Sequence, residues 1–326
     1  MRRLLLLPCL LLMACADSRL PFSNEDLPMN PMTDLKAKLA FTCTHEQIPA
    51  ASEESDVLFQ YARWLQKNNQ LKRDKTINLE IERLYRIAAE NGHFKANINL
   101  QNGGMRGQFE VYGHEYLRFS QDLIDADVAT GYYLISLLLE KGGAGLQQDP
   151  DMALRYLSKA ANVGNARAQF FIAEKLEPSN IAPNIALQMF RCAADQGHGD
   201  AGVALGIHQK IKQEYSDALE LFQQSVAAGD EGAANRLANS FRGIKPDDKI
   251  YYLAQQEDLE RADRYEKIWR ILANYSYANP KVPEINDIVP LPPAKLPPWD
   301  GKLKWLEERE ANIPPEKPSQ ELIQRL

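Results

Sequence analysis

Blocks of apolar and small residues recur along the middle of the chain at a nearly constant interval. An alanine pair followed by a glycine occurs at residues 88–92, 160–164 and 193–197, and a weaker copy occurs at 225–229. The glycines are 72, 33 and 32 residues apart, and a small residue follows each of them by four positions. Because 72 is about two periods, a degenerate unit is expected in the first interval. The alignment that we favour places Asp125 opposite Gly164, so this second of five units lacks its glycine.

Each repeat has the pattern of two packed helices. In the third unit the apolar positions from Ala153 to Ala161 form one helical stripe. The alanine pair allows a second helix to approach closely, and the glycine ends the first helix where a positive φ is needed. One such hairpin cannot bury its stripe alone, so neighbouring units must stack. The pattern predicts an all-α solenoid over residues 51–243.

The remaining 244–326 segment has a different character. Residues 258–273 show apolar positions at helical spacing, which predicts a helix that caps the solenoid. Seven prolines then follow between Pro280 and Pro298 and favour extended chain. Trp299 lies just after them, and Trp305 lies in a short predicted helix. Trp299 is a candidate anchor for a partner, although packing on its own domain is the commoner role.

The first residues have the features of an export signal. Two arginines precede an apolar stretch of about ten residues that ends in Leu-Met-Ala-Cys. This ending resembles a bacterial lipobox, which predicts that residues 1–14 are removed and that Cys15 is lipidated. Ala16 after the cysteine implies the outer membrane, facing the periplasm. An ordinary secretory signal is the alternative, and residues 15–50 are interpreted as a tether.

Composition excludes several classes of protein. The chain has 326 residues and a net charge of −6, without the basic excess of a nucleic-acid binder. No apolar run reaches the length of about 18 residues that indicates a membrane-spanning helix. The five histidines match no zinc motif, and no nucleophile elbow, phosphate-binding loop or dinucleotide fingerprint is present. We therefore predict no enzyme activity, no metal site and no cofactor.

The Ala-Ala-x-x-Gly-x-x-x-Ala core resembles the Sel-one-like repeat family of tetratricopeptide-type helix pairs. The resemblance covers about residues 55–243 and implies a right-handed superhelix whose concave face binds other proteins. The combination of these repeats with the lipobox and residues 291–301 resembles a narrower group. This group is the immunity lipoproteins encoded beside type VI secretion lipase effectors, especially those of the phospholipase D type. That resemblance implies a periplasmic antitoxin that binds the toxin. The alternative is a general periplasmic scaffold or regulator.

Alignment of the units indicates which side chains face solvent on the first helix of each pair, the face that lines the groove in this family. Two successive polar positions supply candidate partner contacts, for which a solvated helix face is the simpler interpretation. The candidates are Arg83, Arg155, Gln188 and Glu220 at one position, and Lys159 and Gln224 at the next.

Cysteine usage predicts one disulfide. After removal of the signal and lipidation of Cys15, only Cys43 and Cys192 remain in an oxidising compartment. Cys192 aligns with Lys159, which predicts a partly exposed thiol that is a liability unless paired. The opposing consideration is distance, because Cys43 precedes the first unit whereas Cys192 lies in the fourth.

Overall fold

The structure is a computed structural model that describes residues 41–177 and 182–326. The predictions on the signal peptide, on Cys15 and on most of the tether lie outside the described residues. The described chain contains α-helices, one short 3₁₀ turn and no strand. The helices of its main stack are α1 Glu53–Asn69, α2 Lys75–Glu90, α3 Phe94–Met105, α4 Gly113–Asp125, α5 Thr130–Lys141, α6 Pro150–Asn162, α7 Ala166–Leu176, α8 Pro183–Asp195, α9 Gly199–Ile211, α10 Tyr215–Ala227, α11 Glu231–Ser240 and α12 Leu259–Asn274.

Five helix pairs, α2–α3 to α10–α11, are the five predicted units, and each packs on the next. The predicted all-α solenoid is thereby confirmed. Three of the five second helices begin at side-chain caps: His93 accepts from the Ala96 amide, Asn165 from the Ala168 amide and Asp230 from the Ala233 amide. None of the described helices combines the length and the apolar character that crossing a bilayer requires.

The register of the second unit differs from our alignment by two residues. Gly92, Gly164, Gly197 and Gly229 all have positive φ, and Asp127, not Asp125, takes this place in the second unit with φ of 58°. The Val128 amide donates to the Leu123 carbonyl, as the Asn165 amide donates to that of Ala160. Asp tolerates this conformation because its short polar side chain bonds locally. The sequence alignment was misplaced because the second unit has no glycine at this turn, and the small residues alone did not fix its register.

The corrected register brings another arginine into the row of candidate contacts. Arg118 lies nine residues before Asp127, as Arg83 lies before Gly92 and Arg155 before Gly164. The same position is therefore an arginine in the first three units, Gln188 in the fourth and Glu220 in the fifth.

The last ten residues of the predicted tether belong to the fold, so that prediction is wrong for residues 41–50. They run as extended chain across the turns between first and second helices, from α8 back towards α1. The Glu46 amide donates to the Gly164 carbonyl at 3.1 Å, and the Glu46 carboxylate accepts from the Thr130 hydroxyl at 2.9 Å. Ile48 packs on an apolar cluster that contains Leu123 and Val128. Such a segment is held largely by backbone groups and single side chains, and it leaves no periodicity to detect.

The C-terminal segment connects the two ends of the stack. Helix α12 and residues Val282, Ile285 and Leu303 share a core with α10 and α11. The chain continues through α13 Ile285–Ile288, α14 Lys304–Ala311 and α15 Gln320–Arg325. Ile323 of α15 then packs in the cluster formed by α1 and α2. The stack is thus bridged by its own tail.

Candidate partner-binding face

The first-helix face is defined here as the solvent side of α2, α4, α6, α8 and α10. It carries six of the seven predicted contact residues. Arg83, Lys159, Gln188 and Glu220 are exposed, and Arg155 and Gln224 are half-buried. The seventh, Trp299, lies in the C-terminal segment.

The chain itself covers both ends of this face. At α10, the Gln224 amide donates to the Ala194 carbonyl at 3.2 Å. A cavity of about 270 Å³ there is lined by Glu220, Gln224 and tail residues that include Pro283 and Leu291. At α2, the Asn91 amide donates to the carbonyl of Leu326 at 3.0 Å. Within the described ranges, the tail forms hydrogen bonds with α4–α9 only at the end of α9, where the Lys210 Nζ donates to the Lys249 and Ile250 carbonyls. The helices α6 and α8, the centre of the face, form none with it among these residues.

Basic side chains predominate on α6 and α8 at this centre. Lys159 is exposed, with its Nζ 5.7 Å from the centre of the Tyr132 ring. Arg191 is exposed, and within the described ranges no hydrogen bond or ion pair engages it. Arg118 on α4 pairs with Glu90 at 3.1 Å. Arg191 and Arg118 were not among the predicted contacts, and the repeat register would have found Arg118.

An apolar cavity opens beside α8. Its volume is about 380 Å³, and its apolar lining consists of Phe41, Leu187, Leu205 and the disulfide-bonded Cys43 and Cys192. Its polar lining consists of Gln188, Arg191, Asp195 and Gln209. Of these residues, Gln188 was expected as a partner contact, and Cys43 and Cys192 were expected as a disulfide. Phe41 was not expected, because it belongs to the segment interpreted as a tether.

Cys43 and Cys192 form a disulfide in the structure. The expectation of a partly exposed Cys192 is wrong, since its side chain is 0% exposed under the N-terminal segment. The distance along the sequence between Cys43 and Cys192 is no obstacle to the bond. The N-terminal segment lies beside α8 at Cys43 and reaches α1 only at Ser52. His45 lies close enough to complete a three-ligand cluster with both sulfur atoms. Cysteine binds a metal ion as a thiolate, however, and the sulfur atoms of a disulfide are not thiolates. The disulfide-bonded cluster therefore lacks its two sulfur ligands.

Trp299 packs on its own C-terminal segment, the alternative that the sequence left open. The indole is half-buried against the core that α10, α11 and α12 share with the tail, and its Nε1 donates to the Lys302 carbonyl at 2.8 Å. Lys267 lies 5.4 Å from the ring centre. These contacts hold the indole in place and account for Trp299 without a partner.

One histidine stands beside a carboxylate without forming a catalytic arrangement. His93 Nε2 lies 3.2 Å from the Asp56 carboxylate, and His93 Nδ1 accepts from the Ala96 amide at 3.1 Å. Both ring nitrogens are therefore engaged in holding the start of α3 against α1. A general base would need a nitrogen directed at a substrate proton.

Comparisons with known proteins agree with this architecture. The Sel1 repeat model matches residues 129–165, 167–198 and 204–230. The chain contains Sel1 repeats. A second model, a domain of unknown function called DUF6396, matches residues 233–326. The Sel1 match covers α5–α10, and the structure adds the first helix pair α2–α3, the helix α4 and the helix α11. No curated protein matches the chain.

Solved structures from Pseudomonas aeruginosa share the fold. PA5086 is 28% identical, covering 78% of this chain and 95% of that chain, with a TM-score of 0.59. The immunity protein Pa5087 is 25% identical over the same shares, with a TM-score of 0.56. The immunity protein PA5088 is 24% identical and has a TM-score of 0.61, over 78% of this chain and 94% of that one. The similarity thus spans nearly the whole of these relatives, and two of them are named immunity proteins.

Proposed function

We propose that this chain is an immunity protein that binds and inhibits a lipase effector delivered by type VI secretion, and thereby protects the cell from itself and its siblings. The observation that carries the proposal is the similarity to Pa5087, an immunity protein, over 95% of that chain. Inhibition then results when the bound chain blocks access of substrate to the effector.

The centre of the first-helix face is the proposed contact surface. It lies at α6 and α8, between the contacts that the tail makes at α2 and at α10, and it presents Arg155, Lys159, Gln188 and Arg191. Rigid packed helices suit tight binding because little side-chain and backbone freedom is lost on association.

We place the protein in the periplasm, attached to the outer membrane by a lipid on Cys15. The Cys43–Cys192 disulfide supports an oxidising compartment, since such bonds are rare where thiols are kept reduced. The test is radiolabelled-palmitate incorporation, with Cys15→Ser as the variant that should lose the label.

The first experiment is a pull-down with a soluble form that begins at residue 16, against the secreted and periplasmic proteins of sibling cells. Stoichiometric recovery of one phospholipase, with its activity abolished in the complex, is the expected result. Recovery of resident envelope proteins without a lipase would favour the scaffold alternative.

The second experiment locates the contact surface. Arg155→Glu with Lys159→Glu should weaken effector binding by at least tenfold, which is about 1.4 kcal/mol. Arg167→Glu, on the second helix α7, is the matched control and should leave affinity unchanged. The melting temperature of each variant separates loss of contact from loss of fold. Unchanged affinity in the double variant would indicate that the effector binds the tail or the opposite face.

A further inference from the structure

The cavity beside α8 is open to solvent although its walls are apolar. Leu205 is buried, Leu187 is half-buried, and Phe41 and the disulfide-bonded Cys43 and Cys192 complete the apolar lining. Protein interiors are close-packed, and wall atoms beside a void lack van der Waals partners on one side. An apolar group that enters this cavity gains those contacts and leaves water at the same time.

The charges around the cavity are unevenly distributed. On the side of α6 and α8 lie Arg191, Arg155 and Lys159, the last two on the neighbouring helix at a typical interaxial distance of about 10 Å. Asp195 is the carboxylate in the lining itself.

The other carboxylates lie on the far side of the cavity. The Gln209 amide donates to Glu214 at 2.6 Å and to Asp217 at 3.3 Å. Gln209 is thereby held against the α9–α10 side. Arg191 is the cation in the lining, and a carboxylate on a bound segment is favoured beside it, away from Glu214 and Asp217.

We propose that this cavity, called here the anchor pocket, receives one large apolar side chain, preferably aromatic, from a partner segment that carries a carboxylate beside it. The exposed guanidinium of Arg191 pairs with that carboxylate while the ring fills the space between Phe41, Leu187 and Leu205. Binding energy concentrates in such buried aromatic anchors that polar contacts surround. The inference rests on the proposed function only for the identity of the partner, an effector protein.

The test uses synthetic peptides and therefore needs no effector. Three short peptides share one soluble host sequence and differ at the centre, which reads Asp-Trp-Asp, Asp-Ala-Asp or Lys-Trp-Lys. Titration into the isotope-labelled chain is followed by amide shifts of Leu187, Arg191 and Leu205. We expect Asp-Trp-Asp to shift these resonances, and each of the other two peptides to bind at least tenfold more weakly.

Variants of the chain assign the contacts. Gln188→Trp, at an exposed position on the rim, fills the mouth and should weaken Asp-Trp-Asp binding at least tenfold without unfolding. Arg191→Glu should weaken Asp-Trp-Asp and strengthen Lys-Trp-Lys, a reversal that a merely structural role would not produce. Arg167→Glu carries the same charge change outside the lining and should alter neither.

Each contrary result overturns the proposal. It fails if Asp-Trp-Asp at millimolar concentration shifts none of the lining amides, or if Lys-Trp-Lys binds the unaltered chain equally well. It also fails if Arg191→Glu weakens both Trp peptides equally. Loss of the lipase interaction in the pull-down would instead refute the proposed function and leave the peptide result intact. Effector binding by the Gln188→Trp variant, measured separately, shows whether the effector uses the anchor pocket.

Discussion

Glycines at equivalent turns differ in what surrounds them. Gly164 has φ of 115°, and a Cβ there would lie 2.6 Å from the Glu46 nitrogen. Gly197 has φ of 82°, and a Cβ there would meet nothing within 4 Å. Any L-residue at either turn costs roughly 1–2 kcal/mol in backbone strain. Only Gly164 also provides room for the N-terminal segment.

We therefore expect Gly164→Ala to destabilise the protein more than Gly197→Ala does. The second variant isolates backbone strain, while the first also displaces Glu46 and its hydrogen bond to the Gly164 carbonyl. Urea unfolding gives the two free energies, and hydrogen exchange at residues 44–48 shows whether the segment is released. Equal losses in both variants would mean that the segment contributes nothing at this turn.

His198 should make stability depend on pH. Its ring stacks on Phe170 with centres 4.6 Å apart. Burial lowers the pKa of His198, Asp200 opposes that shift, and Arg167 and Lys281 add to it. The folded state therefore favours the neutral imidazole. The stability that this provides is complete above the unfolded pKa of about 6.5 and is lost as pH falls through the folded value.

The unaltered protein should consequently lose more stability between pH ~7 and ~5 than the His198→Gln variant does. Urea unfolding at both pH values measures the difference, and an NMR titration of the ring gives the pKa directly. His114→Gln, at an exposed imidazole, serves as the control. A His198→Gln profile that parallels that of the unaltered protein would contradict the expectation.

Among the elements, the N-terminal segment at residues 41–50 contacts several repeats although it is short. It crosses the turns of three units, and the disulfide closes a sequence separation of 149 residues. Constraint of the unfolded chain by a bond over so long a loop stabilises a protein by about 2–5 kcal/mol. The Cys43→Ala/Cys192→Ala variant should lose stability of that order and exchange faster at residues 41–50.

The reduced form of the unaltered protein provides the matched comparison, because it lacks the bond without a change in side-chain volume. It should unfold at nearly the same urea concentration as the double variant. Mass spectrometry of peptides cleaved without reduction checks the bond itself. Two free thiols in protein from the periplasm would refute it.

Most of the repeat elements could be predicted from sequence, and the exceptions have physical reasons. Helix pairs with an Ala-Ala-x-x-Gly core are periodic because every unit meets the same packing requirement. The turn residue Asp127 was not recognised from sequence because a left-handed turn accepts Asp as well as Gly. Arg118 was missed for the same reason, since its place in the repeat depends on the position of that turn. Phe41 and Cys43 belong to an extended segment, so the anchor pocket and its wall had no periodic signal at all. The pairing of Cys43 with Cys192 was predictable only from the number of cysteines.

At the scale of the whole molecule, the tail turns an open stack into a bridged one. The Trp64 Nε1 donates to the Asn312 carbonyl at 3.4 Å, and Arg325 pairs with Glu54 at 2.7 Å. These contacts join residues more than 240 positions apart and depend on few side chains. Sequence reasoning predicted a cap at α12 but could not predict that the chain returns to α1, because isolated long-range contacts leave no local pattern.

Ile323 and Ile313 allow a direct test of this bridge. Ile323 is 6% exposed within the α1–α2 cluster, whereas Ile313, on the same tail, is 80% exposed. Ile323→Asp buries a charge and removes an apolar contact, and we expect a loss of about 2–5 kcal/mol. Ile313→Asp should be nearly neutral.

Since each repeat is stabilised by its neighbours, the loss at Ile323 should be felt most at the end where the tail docks. Hydrogen exchange in the Ile323→Asp variant should accelerate in α1–α3 and remain slow in α10–α12, because the core around Phe222 and Tyr265 does not contain Ile323. Equal acceleration at both ends would show that the bridge couples the whole stack into one cooperative unit. Unchanged exchange at α1–α3 would mean that the first units are stable without it.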